Sequence, residues 1–499
     1  MKLSRLLKVS GLANTDLTPS EKDVEIDAVS AACGGDLHGQ LFVLRPGREK
    51  NGAEDILRCA EALGASALLY GAYLDLGEYK PKIPAVLTED VRGDESRLCA
   101  ALYAENASLD LVAVTGTNGK TTTAAMLHHI LAECGTKVGI VGTLGAEFEG
   151  TQYDADGMTT PAPEIFYQIL GDMCRCGAKA VVFEASSQGI LQKRLEGLHV
   201  MKSSRMWSAV FTNLSPEHLD AHGTMEEYFR VKSSLFEDYA AGCGIINTDD
   251  AYGRRLYDKF GGVSVGSDDG CDYKVYDISS SRGRTSYGLQ AYGKSCSAEC
   301  AGGIYNAYNS AYAIAASHAF GVDIEFAVRA LYSFEGVRGR MERVKLPEAF
   351  PAEIYIDFAH TPDAMRKLLT SARVMYPEKR LIVLFGCGGE RDRTKRPLMG
   401  RTAVTLADFV IVTSDNSRGE DKRAIINDIL SGVEGYTNYT VIEDRKEAIY
   451  FAVGSAKAGD LIILAGKGHE TYEISGGAKR AFDERTIASE AARGARPRK

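Results

Sequence analysis

Residues 109–123 read LDLVAVTGTNGKTTT, which predicts a buried strand, a glycine-containing loop and the first turns of a helix in direct succession. This order constrains the fold strongly, because a strand that runs straight into a helix is typical of a parallel sheet covered by helices. Gly116 and Gly119 permit a tight turn, and the backbone amides at the helix N-terminus can face an anion. The segment therefore predicts a phosphate-binding loop at the carboxyl end of a strand.

The side chains of this loop suit a nucleotide. Lys120 would neutralise charge on the β- and γ-phosphates, and the Thr121 hydroxyl can ligate magnesium. Val114 stands where a longer Walker loop has glycine, so this is the shorter TGTNGKT form. The alternative is a glycine turn with an incidental lysine, against which the flanking strand and helix argue. The residues expected at the phosphates are Gly116, Thr117, Asn118, Gly119, Lys120, Thr121 and Thr122.

The remaining strand and helix patterns divide the chain into three parts. Strand-like runs that alternate with helical stretches form two sets, at 109–114, 180–184 and 209–213, and then at 354–358, 381–385, 409–413 and 461–464. The segment FEGVRGRM at 334–341 lies between the sets and is the predicted hinge. Earlier in the chain, runs at 40–44 and 67–70 flank a helix-like stretch at 53–63. We therefore predict an α/β fold with an N-terminal domain (1–108), a central domain (109–336) and a C-terminal domain (337–499).

Charge and composition exclude several classes of protein. The 58 basic and 67 acidic residues give a net charge of −9, and the basic residues are dispersed, which argues against a nucleic-acid-binding surface. No apolar run approaches the roughly 18 residues of a membrane-spanning helix. Met1 to Leu17 lacks the apolar stretch of a signal peptide, so a cytoplasmic location is expected. The 11 cysteines form no CxxC pair, which favours reduced thiols over disulfides or a zinc site.

Two further segments place polar residues at strand ends, FEASSQGI at 183–190 and FTNLSPEHLD at 211–220. Because parallel strands end at one edge of a sheet, Glu184 and His218 can converge near the phosphates, where a carboxylate and an imidazole suit a divalent metal. A lone histidine on a loop is more often structural, and only the nearby Lys120 favours His218 as a ligand. Lys232, on the predicted helix from Met225 to Tyr239, looks from the residues alone like a solvated lysine on an amphipathic helix.

These segments recur with others in a family order. TGTNGKTTT, FEASS and TNLSPEHLDAHGTMEEYFRVK are followed by YNAYNSAYAIAA, GVRGRME, IDFAHTPDAM, FGCGGERDRTKRPLMG, DNSRGED and AGKGHE. Over about residues 109–499 the chain resembles the Mur ligases, and within them the members that add the third amino acid to the UDP-N-acetylmuramoyl peptide precursor. The resemblance implies a domain for the UDP end, a central P-loop ATPase domain with a parallel sheet, and a Rossmann-like C-terminal domain that closes over ATP and the amino acid.

The resemblance also implies roles for single residues. Lys120, Glu184, His218 and Lys232 would be catalytic. Lys232 would carry a CO2-derived carbamate and, with Thr121, Glu184 and His218, hold two magnesium ions. The rest of ATP would meet Asn306, Arg340, Asp357 and His360. The precursor would meet Thr159, Thr160, Ser186, Gln192 and Arg194. The incoming amino acid would meet Arg391, Asp415, Asn416, Arg418, Gly466 and Glu470.

The implied reaction begins with transfer of the ATP γ-phosphate to the terminal D-glutamate carboxylate of UDP-N-acetylmuramoyl-L-alanyl-D-glutamate. The amino group of a free amino acid then displaces phosphate from the acyl phosphate, as a step in peptidoglycan precursor synthesis. The amino acid expected is meso-diaminopimelate, because Arg418 can bind its second carboxylate and Glu470 its distal ammonium. The enzyme would act as a monomer.

Several positions depart from the family pattern. Asp27, Ala28 and Val29 stand where relatives have Asp-Ser-Arg, Gln188 replaces a histidine, and Ser417 replaces a proline. Three alternatives therefore stay open: a related ligase acting on another carboxylate, a lysine-adding ligase, and a nucleotide-binding protein without turnover.

Overall fold

Three sheets and a final two-stranded hairpin follow one another along the described part of the chain. The first sheet is entirely parallel, and the second and third are mainly parallel. The computed structural model describes residues 1–12, 24–48, 52–240 and 243–494, apart from the side chain of Asp220. Residues 13–17 of the segment inspected for a signal peptide lie outside these ranges. Every helix within the ranges falls short of the length and apolar character that a bilayer crossing requires.

The first sheet has four parallel strands that pair in chain order. Its elements are α1 (Leu3–Val9), β1 (Ala28–Ser30), β2 (Gln40–Val43), α2 (Ala53–Ala62), β3 (Ala67–Gly71), β4 (Ala85–Thr88) and α3 (Val91–Tyr103). The predicted runs correspond to β2, α2 and β3. Sequence patterns did not reveal β1 and β4, because three or four residues are too few to display a period.

The second sheet has eleven strands. They are β5 (Asp110–Thr115), β6 (Val138–Gly142), β7 (Gly145–Phe148), β8 (Thr151–Tyr153), β9 (Ala180–Glu184), β10 (Arg205–Phe211), β11 (Gly244–Asn247), β12 (Val263–Gly266), β13 (Tyr273–Ser281), β14 (Arg284–Ala291) and β15 (Lys294–Ala301). The order across the sheet is β15-β14-β13-β12-β11-β10-β5-β9-β6-β7-β8. The strands at both ends are antiparallel extensions, and those in the middle are parallel.

Helices cover both faces of this second sheet. They are α4 (Lys120–Glu133), α5 (Pro163–Arg175), α6 (Ser187–Leu191), α7 (Leu219–His222), α8 (Met225–Tyr239), α9 (Ala251–Phe260), α10 (Asn306–Ala319) and α11 (Ile324–Ala330), with a 3-10 helix at Glu196–Val200. Side chains of β5 alternate between two cores, with Leu111 and Ala113 on one face and Val112 and Val114 on the other. The strand before the glycine loop is therefore buried on both faces, as its continuous apolar run predicts.

The third sheet has six strands, followed by a hairpin. The strands are β16 (Glu342–Arg343), β17 (Glu353–Asp357), β18 (Arg380–Phe385), β19 (Phe409–Val412), β20 (Tyr439–Val441) and β21 (Asp460–Ala465), and the hairpin is β22 (Tyr472–Ser475) with β23 (Ala478–Ala481). Its helices are α12 (Pro362–Met375), α13 (Lys395–Leu406), α14 (Lys422–Leu430), α15 (Arg445–Gly454) and α16 (Glu484–Ala492). The order β16-β17-β21-β18-β19-β20 has only β16 antiparallel. This is the Rossmann-like arrangement expected of the C-terminal part.

The predicted fold class is confirmed, and most predicted strands agree within one or two residues. The exception is β10, which begins at Arg205 and ends at Phe211 where the sequence predicted 209–213. It ends early because Thr212 and Asn213 turn away to hold the glycine loop. The predicted helix from Met225 to Tyr239 agrees in full with α8, and the predicted hinge lies between α11 and β16.

Candidate active site

The loop between β5 and α4 closes around its own lysine. Gly116 and Gly119 have φ angles of +139° and +90°, which a side chain would oppose, and α4 begins at Lys120. The Lys120 ammonium donates to the carbonyl oxygens of Gly116 at 3.0 Å and Thr117 at 2.9 Å. Burial lowers the pKa of Lys120. The ammonium thus lies at the mouth of the loop, where a phosphate oxygen can replace a carbonyl as its partner.

The chain that leaves β10 braces this loop from the side. Thr212 Oγ1 donates to the carbonyl of Asn118 at 2.6 Å, and the Asn118 amide donates to Asn213 Oδ1 at 3.1 Å. The Thr117 amide donates to the Asn213 carbonyl at 2.8 Å, and the Ser215 amide donates to Thr117 Oγ1 at 3.0 Å. Two adjacent strand ends therefore fix the loop before any ligand binds.

Glu184 meets the loop from β9, on the other side of β5. It is 2% exposed, and its Oε2 accepts from Thr121 Oγ1 at 2.9 Å. Its Oε1 accepts from the Thr143 amide at 2.8 Å. Arg340 Nη2 approaches the same Thr121 hydroxyl at 3.3 Å. The structure thus brings Glu184 and Thr121 together, as two oxygen donors that suit magnesium.

Lys232 is buried, so its interpretation as a solvated lysine is wrong. It is 1% exposed, because α8 lays this face against the end of β5. Its ammonium donates to the Gly116 carbonyl at 3.0 Å, the same oxygen that Lys120 uses, and to Thr115 Oγ1 at 3.4 Å. Burial, reinforced by the charge of Lys120, lowers the pKa of Lys232 well below its ordinary value. These conditions favour the neutral, nucleophilic amine.

Glu217 lies at the centre of the cationic groups, and the sequence interpretation missed it. Its Oε1 lies 3.7 Å from His218 Nε2 and 3.8 Å from His360 Nε2. Burial alone would raise the pKa of Glu217, but His360, His218, Lys120 and Lys232 outweigh it and lower that pKa. His218, a predicted metal ligand, is 47% exposed and has a left-handed φ of +56°.

The third sheet contributes groups to the same place. Lys395 donates to the His360 carbonyl at 2.9 Å. Asp363, at the start of α12, accepts from Ser215 Oγ at 3.1 Å and from Asn118 Nδ2 at 3.4 Å. The carboxyl edge of the third sheet therefore faces the glycine loop across a narrow interface.

The segment between the second and third sheets holds Arg340 and Asp357 close together. The Arg340 guanidinium lies 4.7 Å above the Phe358 ring. Asp357 accepts from the Met341 amide at 2.8 Å, and burial raises the pKa of Asp357. Four residues were predicted for the adenosine end of ATP. Three of them, Arg340, Asp357 and His360, lie on the side of the glycine loop that faces the third sheet.

Asn306, the fourth residue predicted for the adenosine end of ATP, is linked to the helix after the glycine loop through Asn309. Asn306 Nδ2 donates to the Ala301 carbonyl at 2.7 Å, and Asn309 Nδ2 donates to Asn306 Oδ1 at 2.9 Å. Asn309 Oδ1 then accepts from Thr123 Oγ1 at 3.3 Å. Asn309 was not predicted, although it follows Asn306 by one helical turn and so shares its face.

The five residues predicted for the precursor form one group beside β9. Thr160 Oγ1 donates to the carbonyl that ends β9 at 2.8 Å and accepts from the Ser186 amide at 2.9 Å. Arg194 donates to the Thr160 carbonyl and, through Nη2, to Gln192 Oε1 at 2.7 Å. Thr159 Oγ1 lies 3.0 Å from a threonine hydroxyl that also contacts Glu184. The group therefore adjoins the phosphate site directly.

A separate cluster of polar side chains, the candidate amino acid pocket, lies at the carboxyl edge of the third sheet. Asn416 Nδ2 donates to Glu470 Oε2 at 2.8 Å, and a Cβ added at Gly466 would approach Asp415 Oδ2 to 2.7 Å. A Cβ added at Gly388 would lie 3.0 Å from Arg418 Nη1 and 3.9 Å from Arg391 Cγ, so the two arginines are neighbours. The structure thus brings together all six residues predicted for the amino acid, Arg391, Asp415, Asn416, Arg418, Gly466 and Glu470.

No group of three His, Cys, Asp or Glu side chains in the described part of the chain forms a ready-made metal site. The donors present are the Thr121 hydroxyl and the Glu184 carboxylate, with His218 nearby. This set fits magnesium when nucleotide phosphates and water complete it, because magnesium requires about six oxygen ligands.

Comparison with known proteins gives consistent matches. The profile of the Mur ligase middle domain matches residues 114–317, and the profile of the Mur ligase glutamate ligase domain matches residues 339–468. The chain is 39% identical to the UDP-N-acetylmuramoyl-L-alanyl-D-glutamate–2,6-diaminopimelate ligase of Gloeobacter violaceus, over 98% of both chains. It is 38% identical to the ligase of the same name from Trichormus variabilis, over 97% of both.

Solved structures agree. One of a UDP-N-acetylmuramoyl-L-alanyl-D-glutamate–2,6-diaminopimelate ligase superposes with a TM-score of 0.68 at 28% identity and covers 99% of both chains. MurF from Acinetobacter baumannii has a TM-score of 0.63 at 18% identity, over 93% of this chain and 95% of its own, and so supports the fold alone.

Proposed function

The chain belongs to the Mur ligase family, and we propose that it joins an amino acid to the terminal carboxylate of UDP-N-acetylmuramoyl-L-alanyl-D-glutamate with cleavage of ATP to ADP and phosphate. One observation carries this proposal. Two lysine side chains, Lys120 and Lys232, share the carbonyl of Gly116 beside the Thr121–Glu184 pair. Lys120 as an ammonium can neutralise a transferring phosphoryl group, and the Thr121–Glu184 pair can hold a metal ion beside it.

The first step is phosphoryl transfer. An oxygen of the D-glutamate carboxylate attacks the γ-phosphorus of ATP, the bond to the ADP oxygen breaks, and an acyl phosphate forms. Lys120 binds the transferring group and offsets the charge that develops on it. Thr159, Thr160, Ser186, Gln192 and Arg194 would orient the precursor. Magnesium, when bound at Thr121, Glu184 and His218, supplies further charge neutralisation at the phosphates.

The second step forms the amide. The amino nitrogen attacks the acyl carbon, the carbon–oxygen bond to phosphate breaks, and the nitrogen loses a proton. Since an acyl phosphate also reacts with water, the site must exclude solvent. The contacts of Asp363 with Ser215 and Asn118 support closure of the third sheet over the loop during this step.

Lys232 is proposed to react with CO2 and become a carbamate. A neutral amine is the form that adds CO2, and burial beside Lys120 favours that form. The amine nitrogen bonds to the carbon of CO2 and loses a proton to solvent, and the resulting carbamate anion would be attracted by the Lys120 ammonium. The carbamate would add a further anionic oxygen donor for magnesium.

The amino acid is proposed to be meso-diaminopimelate. Arg418 and Arg391 both approach Gly388 and can pair with a second carboxylate, while Glu470 can accept from the distal ammonium. L-Lysine has the ammonium without that carboxylate and would offer the two arginines no anion. The named function of the relatives at 37–39% identity supports this choice.

We also infer a division into domains at 1–108, 109–336 and 337–499, which the three sheets support. Gly336 and Gly339, both with positive φ, would provide the hinge between the last two. We also infer that the reaction takes place in the cytoplasm, where ATP is abundant.

The test is phosphate release from ATP with purified protein. We expect release to require both the UDP-linked dipeptide and an amino acid, with higher kcat/KM for meso-diaminopimelate than for L-lysine. Release with a different carboxylate in place of the dipeptide would favour a paralogous ligase. Equal or better kcat/KM with L-lysine would overturn the amino acid assignment, and no release with any pair would overturn the ligase reaction.

A further inference from the structure

Lys467 is a fully buried lysine that joins three segments of the amino acid pocket. Its side chain is 0% exposed, and its ammonium donates to Asn416 Oδ1 at 3.0 Å and to the Tyr472 carbonyl at 2.9 Å. Asp415 Oδ1 lies 3.6 Å away and Glu470 Oε2 lies 3.8 Å away. One ammonium thus connects the 415–418 loop, Glu470 and the hairpin that begins at Tyr472.

These contacts fix the orientation of the Asn416 amide. Its Oδ1 accepts from two donors, Lys467 Nζ and the Ile474 amide at 2.9 Å. An amide has its acceptor on one side and its donors on the other, so Nδ2 must point to Glu470, to which it donates at 2.8 Å. Lys467 therefore holds the Glu470 carboxylate in place through Asn416, and its own side chain is sealed from solvent.

Lys467 also lies within 4 Å of two carboxylates, the buried Asp415 and the partly exposed Glu470. Burial raises the pKa of Glu470, and the charge of Asp415 raises it further, while Lys467 opposes both effects. Burial would also raise the pKa of Asp415, but Lys467 and Arg445 outweigh it and keep that pKa low. Arg445 lies on the far side of Asp415, at 4.0 Å, and is itself paired with Glu484 at 2.8 Å. Without the ammonium, the two carboxylates would face each other unshielded.

The hairpin in turn holds Arg418. The Arg418 amide donates to the Ile474 carbonyl at 3.1 Å, and the Gly476 amide donates to the Arg418 carbonyl at 2.8 Å. Arg418 has a φ of +53°, a left-handed conformation that a residue other than glycine adopts only when its surroundings impose it. Because Lys467 ties the first residue of the hairpin, Tyr472, it contributes to this restraint as well.

We propose that Lys467 is a positioning residue for the incoming amino acid, which acts by orienting Asn416 and Glu470 and by anchoring the hairpin that holds Arg418. The proposal rests on the proposed function only in taking this pocket as the amino acid site. Lys467 makes no contact with the phosphate-binding loop in the described part of the chain, so its effect should be confined to one substrate.

The test is steady-state kinetics of Lys467→Met, with whichever amino acid gives the parent its highest kcat/KM. We expect the KM for the amino acid to rise by about thirtyfold, since a buried charged hydrogen bond is lost. The kcat and the KM values for ATP and the UDP-linked dipeptide should stay within about threefold of the parent. The matched control is Lys479→Met, in which the lysine lost lies on the same hairpin, 4.0 Å over the Tyr472 ring. The control should leave all constants unchanged.

A double-mutant cycle with Asn416→Ala separates positioning from general destabilisation. If Lys467 acts through Asn416, Lys467→Met should add less than about threefold to the KM of the Asn416→Ala variant. Multiplicative effects would overturn the orienting role through Asn416, and an equal rise in the KM for ATP would overturn the positioning role as a whole.

Asn416→Asp covers the case in which Lys467→Met does not fold. It keeps the oxygen that Lys467 and Ile474 use but removes the donor to Glu470, so it should raise the same KM. An unchanged KM in that variant would also refute the positioning role. If the parent prefers L-lysine, the diaminopimelate assignment fails while Lys467 is still tested, because the kinetics then use L-lysine.

Discussion

At the scale of single residues, the site depends on a few ionisable side chains that the fold brings close together. Lys120 and Lys232 approach the same carbonyl oxygen. Both lysines contribute to lowering the pKa of Glu217. Burial of two amines side by side disfavours charge on both. An anion bound beside them would offset that cost.

Replacing Lys120 removes the nearest protein cation from the transferring phosphoryl group. We expect Lys120→Ala to lower kcat/KM for ATP by about a thousandfold or more, which corresponds to at least ~4 kcal/mol of transition-state stabilisation. Phosphate release gives the measurement, with Lys137→Ala, an exposed lysine after α4, as the control. A loss of less than about tenfold would contradict the assignment of the loop.

Lys232 gives a prediction that needs no substitution. If its amine must take up CO2, activity in buffer stripped of CO2 should fall several-fold and return when bicarbonate is added. Lys232→Ala should be nearly inactive in both conditions. Equal activity of the parent with and without bicarbonate, after prolonged removal of CO2, would speak against the carbamate.

The sequence predicted the residues of this site better than it predicted their environments. A strand end and a glycine loop identified Lys120 and Glu184, because their positions follow from local patterns. The burial of Lys232 depends on how α8 packs on β5, which no local pattern reveals. Glu217 and Lys467 were missed for the same reason, since their roles come from contacts with distant segments.

At the scale of elements, the connection between the second and third sheets works through close backbone contacts. Gly339 has a φ of +70°, and a Cβ at this position would clash with the backbone of Gly468 and His469. Gly468 is likewise packed against Phe358. The segment that carries Arg340 to the loop therefore lies directly on the segment that carries Glu470.

This contact predicts different effects for two hinge glycines. Gly339→Ala should displace the 466–470 segment and raise the KM for the amino acid as well as reduce kcat, each by roughly tenfold. Gly336→Ala meets only Ala301 Cβ at 3.9 Å, although its φ of +105° is also unfavourable for alanine. It should therefore cost stability without selective loss at the amino acid site. Identical kinetics for the two variants would refute this coupling.

The turn after β21 also makes stability depend on pH. Burial, together with Arg340, Arg338 and Arg485, lowers the pKa of His469 from 6.5 to about 4. The unfolded chain therefore binds a proton at His469 between these values that the folded chain does not. Stability should fall as pH drops from 6.5 towards 4, by roughly 1 to 3 kcal/mol from this group. Urea titrations of the parent and His469→Gln should show a shallower dependence in the variant; parallel curves would contradict the prediction.

At the scale of the whole molecule, the alternation of strands and helices was sufficient to predict that two α/β sheets follow one another along the chain. Their lateral arrangement was not predictable, because the positions of β10 and β9 on either side of β5 arise from crossovers that the sequence does not specify. The first sheet was predicted least well, since β1 and β4 are short, and the departures at Asp27, Ala28 and Val29 fall there.

The central claim is that the second and third sheets together form a site that activates a carboxylate as an acyl phosphate. The most direct measurement uses a UDP-linked dipeptide labelled with 18O in the terminal D-glutamate carboxylate, followed by mass analysis of the phosphate released with ATP and diaminopimelate. Because the oxygen between carbon and phosphorus leaves with phosphate, the account predicts one labelled oxygen in each phosphate formed. Phosphate that carries no label, with amide product still forming, would contradict the acyl phosphate and with it the assigned reaction path.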